Sequence, residues 1–177
     1  MRTWRSLFLY VTCIGADIIG FIGVLLIWLI WGKNFRFEKK PIALEGQKSH
    51  PGLWALTCDV KRKRLSIFKY SGMTISPHAI IYREGKRPKE NYVWSRIQEH
   101  EHFHCEQYEA ASIIGFIILI FGFTGLIEIL LSICIFTVAP WMYMGAAYAA
   151  SWLRGEDIYR GAHTEEGAYA IDDYFAD

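Results

Sequence analysis

The chain has 177 residues, 53% of them hydrophobic, and a formal charge of +1. That length allows one ordinary domain or a smaller one attached to a membrane. Near-neutrality without an aromatic-basic motif argues against a nucleic-acid binder. The average conceals a segregation that excludes an ordinary cytosolic enzyme. Leu7 to Trp31 is 25 residues with one charge, Asp17, and Ile113 to Leu153 is 41 residues with one charge, Glu128. A bilayer-spanning helix needs about 20 apolar residues, so the first stretch predicts one span and the second two.

Residues 1–31 read as a retained membrane anchor. The apolar run is too long for a signal-peptide core and has no small-x-small cleavage site before Trp31. Lys33, Arg36, Lys39 and Lys40 follow it, while only Arg2, Arg5 and the amino terminus precede it. The positive-inside bias therefore places the next segment in the cytoplasm.

Residues 32–110 form the expected soluble domain, with a net charge of +6. Trp54, Leu56, Cys58 and Val60 alternate with smaller or more polar residues, which is strand periodicity. Lys61-Arg62-Lys63-Arg64 follows, then β-prone runs at Leu65 to Tyr70 and Ala79 to Tyr82. The expectation is a small antiparallel meander with the basic tetrapeptide at a solvated hairpin tip, within reach of anionic lipid. After Pro88 no Pro or Gly occurs until Gly115, so a long helix is expected from near Asn91 or Ser95, running into the second span.

The 41-residue stretch would be about 61 Å long as one helix, twice a ~30 Å hydrocarbon core. Residues 111–153 are therefore expected to be a transmembrane hairpin with Glu128 near its tip, toward the far surface, where a carboxylate is cheapest. Neither Asp17 nor Glu128 requires a proton-relay role. Residues 154–177 form a tail with a net charge of −5. Loop and tail could attract each other on one side of the membrane or stay independently solvated. Cys13 and Cys134 lie in apolar spans, and Cys58 and Cys105 have no metal-ligand spacing. No disulfide framework is suggested, which fits a reducing compartment.

The expected long helix contains His100-Glu101-His102-Phe103-His104, a match to H-E-x-x-H. Residues four apart share a helix face, so His100 and His104 can present two imidazole nitrogens to one ion. Glu101, one position on, can reach a water on that ion without being a ligand. Zinc suits this arrangement: three protein ligands leave a fourth place to a water whose pKa falls to about 7, and a glutamate can accept its proton. Such a match arises by accident on the order of 1% of the time in a chain of this composition, and somewhat more often in a His/Glu-rich cluster. The competing reading is a polar amphipathic helix capping the soluble domain. His102 projects to another side of the helix, and Cys105 points about 100° from its neighbour His104, toward packing.

His100 to Tyr108, read as H-E-x-x-H-x-x-Q-Y, resembles the signature of small bacterial membrane-associated proteins in the zincin (gluzincin-like) superfamily. In that family a β-prone segment with a histidine precedes the motif; the similar piece here is Met73 to Tyr82, with His78. An apolar stretch follows, and then a tail like Gly155-Glu-Asp157-Ile-Tyr159-Arg160-Gly-Ala-His163-Thr-Glu165-Glu-Gly-Ala168-Tyr169. This chain has Gly161, Ala162 and His163 where the family tends to have Asp, Asn and Pro. The resemblance covers roughly residues 70 to 170 and implies Glu165 as third ligand. The residues alone leave all seven tail acids open, and the altered turn leaves Glu166 beside Glu165; the E-x-x-A-Y frame favours Glu165. Gln107 could serve a ligand histidine or the tail, and Tyr159, His163 or Tyr169 could donate to an oxyanion.

The expectation is thus an α+β, membrane-anchored zincin-like protein with about three transmembrane segments, multi-pass, in a bacterial inner membrane with its metal domain cytoplasmic. The expected activity is peptide-bond hydrolysis, with Zn²⁺ on His100, His104 and Glu165 and with Glu101 as general base. With Ser112 as the membrane boundary, the metal would lie about 12 Å above it, which favours the bilayer and a membrane-proximal peptide or protein as partners. The alternative is a non-catalytic membrane protein whose metal staples tail to loop. A third reading, a small structural or pore-forming protein, predicts no metal.

Overall fold

The structure is a computed structural model that describes residues 2–39, 54–60, 72–84, 96–121, 125–158 and 160–174. The elements in chain order are α1 (Arg2–Trp31), β1 (Gly32–Lys39), β2 (Trp54–Val60), β3 (Gly72–Ser76), β4 (Ala79–Arg83), α2 (Arg96–Phe121), α3 (Leu126–Leu153) and α4 (His163–Tyr174). The class is α+β. Three helices are long and apolar enough to cross a membrane: Leu7–Trp31, His100–Phe121 and Leu126–Leu153.

The sheet corrects the expected antiparallel meander. Its order is β1-β2-β4-β3. β1 pairs with β2 and β3 with β4 antiparallel, but β2 and β4 run parallel. The reason is burial. Leu56, Cys58, Val60, Ala79 and Ile81 form one core with Val24 of α1, while Ala55, Ile80 and Tyr82 form another with Cys105 of α2. Both faces of β2 and β4 are covered by helices, the setting in which parallel pairing is found. The alternation at Leu56, Cys58 and Val60 is real, but the intervening Ala55, Thr57 and Asp59 are buried as well. β1 was not foreseen. It follows α1 directly, and Asn34 sits at φ 49° in the bulge between Lys33 and Arg36, its Nδ2 donating to Asp59 Oδ2 at 3.0 Å. Asparagine tolerates that left-handed backbone. The expected features at Lys61 to Arg64 and Leu65 to Tyr70, and the expected helix start near Asn91 or Ser95, lie outside the described residues.

α1 is also part of the packed core. One face carries Leu7, Ile14, Ile18, Leu25 and Leu29 outward, and the other packs on the sheet, α2 and α3. Asp17 is buried on that inner face. Its Oδ1 accepts from Ser76 Oγ at 3.0 Å and from the His78 backbone N–H at 3.1 Å, and its Oδ2 lies 2.7 Å from His78 Nδ1. The one acidic side chain of the apolar stretch is thereby satisfied, and the β3–β4 turn is fixed to α1. His78 lies in that turn, between the strands.

α2 runs unbroken from the motif into its apolar half, as the absence of Pro and Gly predicted. α2 and α3 form the expected hairpin. At its tip Glu128 Oε2 accepts from the Gly125 N–H at 2.9 Å, capping α3. Gly115 of α2 meets Phe136 and Ala139 of α3, and Gly15 of α1 meets Phe136 and Thr137. These glycines let three helix backbones approach closely at one level. Pro140 lies inside α3 next to this crossing. At the other end Gly155 takes φ +74°, the left-handed turn that stops a helix.

Candidate metal centre

α2 presents His100 and His104 on one face, one turn apart, and α4 brings Glu165 against them. The separations are 3.2 Å between the two Nε2 atoms, 3.4 Å from His100 Nε2 to Glu165 Oε2 and 3.5 Å from His104 Nε2 to Glu165 Oε1. All three side chains are buried. Two ligands at about 2.1 Å from a tetrahedral ion stand about 3.4 Å apart, so the two Nε2 atoms and the Glu165 carboxylate are spaced as a group that could hold one metal ion. Glu165 Oε2 is buried and has no hydrogen-bond partner among the described residues, an arrangement a metal ion would relieve.

Hydrogen bonds aim the ligands. His104 Nδ1 lies 2.9 Å from Gln107 Oε1. Since that oxygen can only accept, Nδ1 carries the proton and Nε2 keeps its lone pair toward Glu165. Gln107 Nε2 in turn donates to the Thr164 carbonyl at 3.0 Å, which ties the residue before Glu165 to α2. Gln107 therefore serves both the ligand histidine and the tail. Tyr148 of α3 donates to Glu165 Oε1 at 2.7 Å. Burial alone would raise the Glu165 carboxyl, but the adjoining His100 and His104 rings and the hydrogen bond from Tyr148 hold it well below the usual carboxylate range. It is ready as an anionic ligand. Glu166, its neighbour, is exposed.

Glu101 stands beside the three without joining them. It is buried, and Thr74 Oγ1 of β3 lies 2.8 Å from both its Oε2 and its backbone carbonyl. Gly72 makes room: a Cβ there would lie 2.7 Å from Glu101 Oε1. Glu101, His104 and Glu165 line a pocket of about 470 Å³ bounded by β3 and α3.

Of the other residues singled out from sequence, His102 is buried on a side of α2 away from the site and Cys105 packs against the sheet. His163 is exposed, its Nε2 2.9 Å from Tyr143 Oη. Tyr169 packs edge-on against the His100 ring, centroids 5.4 Å apart. Tyr159 lies outside the described residues. Tyr148 brings its hydroxyl to Glu165 and carried no sequence signal: a tyrosine in an apolar helix reads as an interfacial aromatic. Thr74 and Gly72 were equally silent, since their roles depend on tertiary approach. Comparison with protein families, curated proteins and solved structures returns no match for this chain.

Proposed function

We propose that this protein is a membrane-bound, zinc-dependent peptidase of zincin-like type, with Zn²⁺ held by His100, His104 and Glu165. The observation that carries the reading is the separation of roles around one pocket: three ligand atoms spaced for one ion, and a fourth acidic side chain, Glu101, held next to them by Thr74. Zn²⁺ so held supplies Lewis acidity, polarising a carbonyl and lowering the pKa of water to about 7. Glu101 takes a proton from the attacking water and passes it to the leaving amine. Thr74 fixes the carboxylate that does this, and Gln107 keeps His104 in the ligating tautomer. β3 is one of the two edge strands among the described residues and borders the pocket, so an extended chain can lie beside it.

The metal-staple reading has an observation in its favour, the tie of α4 to α2 through Gln107 and Thr164. A closed structural site uses four protein ligands, however, and the group among the described residues has three. The positive-inside bias assigns the metal side to the cytoplasm.

The test is cleavage of peptides in liposomes by zinc-loaded full-length protein in H₂¹⁸O, read by mass spectrometry. Wild type should place one ¹⁸O in each new carboxyl group. Glu101→Gln should keep its zinc and be at least about 100-fold slower. Equal rates, or zinc loss in Glu101→Gln, would overturn the assignment.

A further inference from the structure

The strand that carries Thr74 is irregular at the next residue. β3 and β4 pair with Met73 opposite Ile81 and Thr74 opposite Ile80, but Ser76 then falls opposite Ala79. One residue, Ile75, is extra on β3, which makes a β-bulge. In an unbroken strand Thr74 and Ser76 would share a face, since side chains alternate. Here they point to opposite sides. Thr74 Oγ1 reaches Glu101 of α2, on the face where Ile80 packs with Cys105. Ser76 Oγ reaches Asp17 of α1, on the face where Ala79 packs with Val24. A bulge bends its strand and re-aims a side chain in this way.

A bulged strand with a neighbour on one side has few backbone restraints. Among the described residues β4 is the only strand paired with β3, and the slip interrupts their ladder next to Thr74. α1 supplies a second hold. Asp17 Oδ1 accepts from Ser76 Oγ at 3.0 Å and from the His78 N–H at 3.1 Å, so one oxygen fixes the chain on both sides of Pro77. Its Oδ2 lies 2.7 Å from His78 Nδ1, and both side chains are buried. Gly20, three residues on from Asp17, lets the strand come this close, because a Cβ there would run into Ser76 Oγ. The route from Asp17 to the metal centre is short. It passes through Ser76, two residues along β3 to Thr74, and the 2.8 Å hydrogen bond from Thr74 Oγ1 to Glu101 Oε2.

Resting on the peptidase reading, we propose that Asp17 is a positioning residue for the general base. It locks the bulge in β3, and the locked bulge aims Thr74 at Glu101. Asp17 touches neither metal nor substrate. Misplacing a reacting group by about 1 Å can cost on the order of 100-fold in rate, so losing the lock should show in kcat and not in zinc affinity.

The test compares turnover per bound zinc in full-length protein in one detergent. Asp17→Ala and Ser76→Ala should each lower kcat by about 10-fold or more, with KM and zinc content unchanged. Asp17→Asn, which keeps an acceptor oxygen, should recover most of the loss. The decisive variants add Thr74→Val to Asp17→Ala and to Ser76→Ala. Each double variant should be no slower than Thr74→Val alone, because both changes remove the same support for Glu101; independent effects would multiply. Ser76→Ala, which removes one hydroxyl, answers the question if Asp17→Ala does not fold. Wild-type kcat in Ser76→Ala, or multiplied losses in the double variants, would overturn the proposal and leave the peptidase reading standing. Glu101→Gln is the control in the same assay: if it is not slowed, the peptidase reading fails, and this proposal with it.

Discussion

A glutamine placed between a histidine and a backbone carbonyl has one workable amide orientation, and at Gln107 that orientation dictates the tautomer of His104. Gln107→Ala should therefore weaken zinc binding by about 10–100-fold, the usual effect of losing a group that orients a ligand. Competition with a chelator of known affinity measures it, and an unchanged affinity would contradict the arrangement. Thr74→Val should leave Glu101 Oε2 short of a donor inside the protein, costing about 1–3 kcal/mol. Its activity should fall with zinc retained, and Thr74→Ser should recover most of both. The pairing of His100 with His104 was legible because helical spacing alone puts them together. Glu165 was reached only through resemblance, since 60 residues of chain separate it from the motif and no local rule spans a hairpin. Gly72 and Thr74 were invisible for a related reason: each acts across a strand-to-helix contact that exists only after folding.

Helices and strands were legible where their pattern matched their burial. The unbroken α2 and the α2–α3 hairpin follow from apolar length and from where Gly and Pro are absent. β1 did not stand out, because Lys33, Asn34, Arg36 and Glu38 give a strand that buries little and holds its place through β2. The parallel β2–β4 pairing was missed because alternation on one face suggested a sheet open on the other. Element contacts also yield two stability predictions. Asp17→Leu removes the acceptor for Ser76 Oγ and the His78 N–H and should destabilise by at least about 1–3 kcal/mol. Gly115→Leu should force α2 from α3 at a cost of about 1–3 kcal/mol. Thermal unfolding in one detergent, against a lipid-facing control such as Ile120→Leu, measures both; no shift in either would mean that the helix crossing is not as tight as described.

At the scale of the whole molecule, the site depends on topology. In a membrane-spanning arrangement the motif half of α2 and the tail helix have to meet on one side, so the apolar chain between them returns to its starting face. Cysteines introduced at Gln47 and Ala176, in a background lacking the native four, should behave alike toward a membrane-impermeant thiol reagent in intact cells, and the cytoplasmic assignment predicts that both are protected. The distances among His100, His104 and Glu165 make a sharper demand, because they bring two stretches of chain distant in sequence, α2 and α4, to where one ion could be held. The most direct measurement is the zinc content of detergent-purified full-length protein, by elemental mass spectrometry, in wild type, Glu165→Ala and Glu166→Ala. Wild type and Glu166→Ala should each carry about one zinc per chain, and Glu165→Ala should lose it on mild chelation, as expected when one of three protein ligands is removed. A wild-type protein without stoichiometric zinc, or a Glu165→Ala protein that holds it as firmly as wild type, would contradict the metal centre.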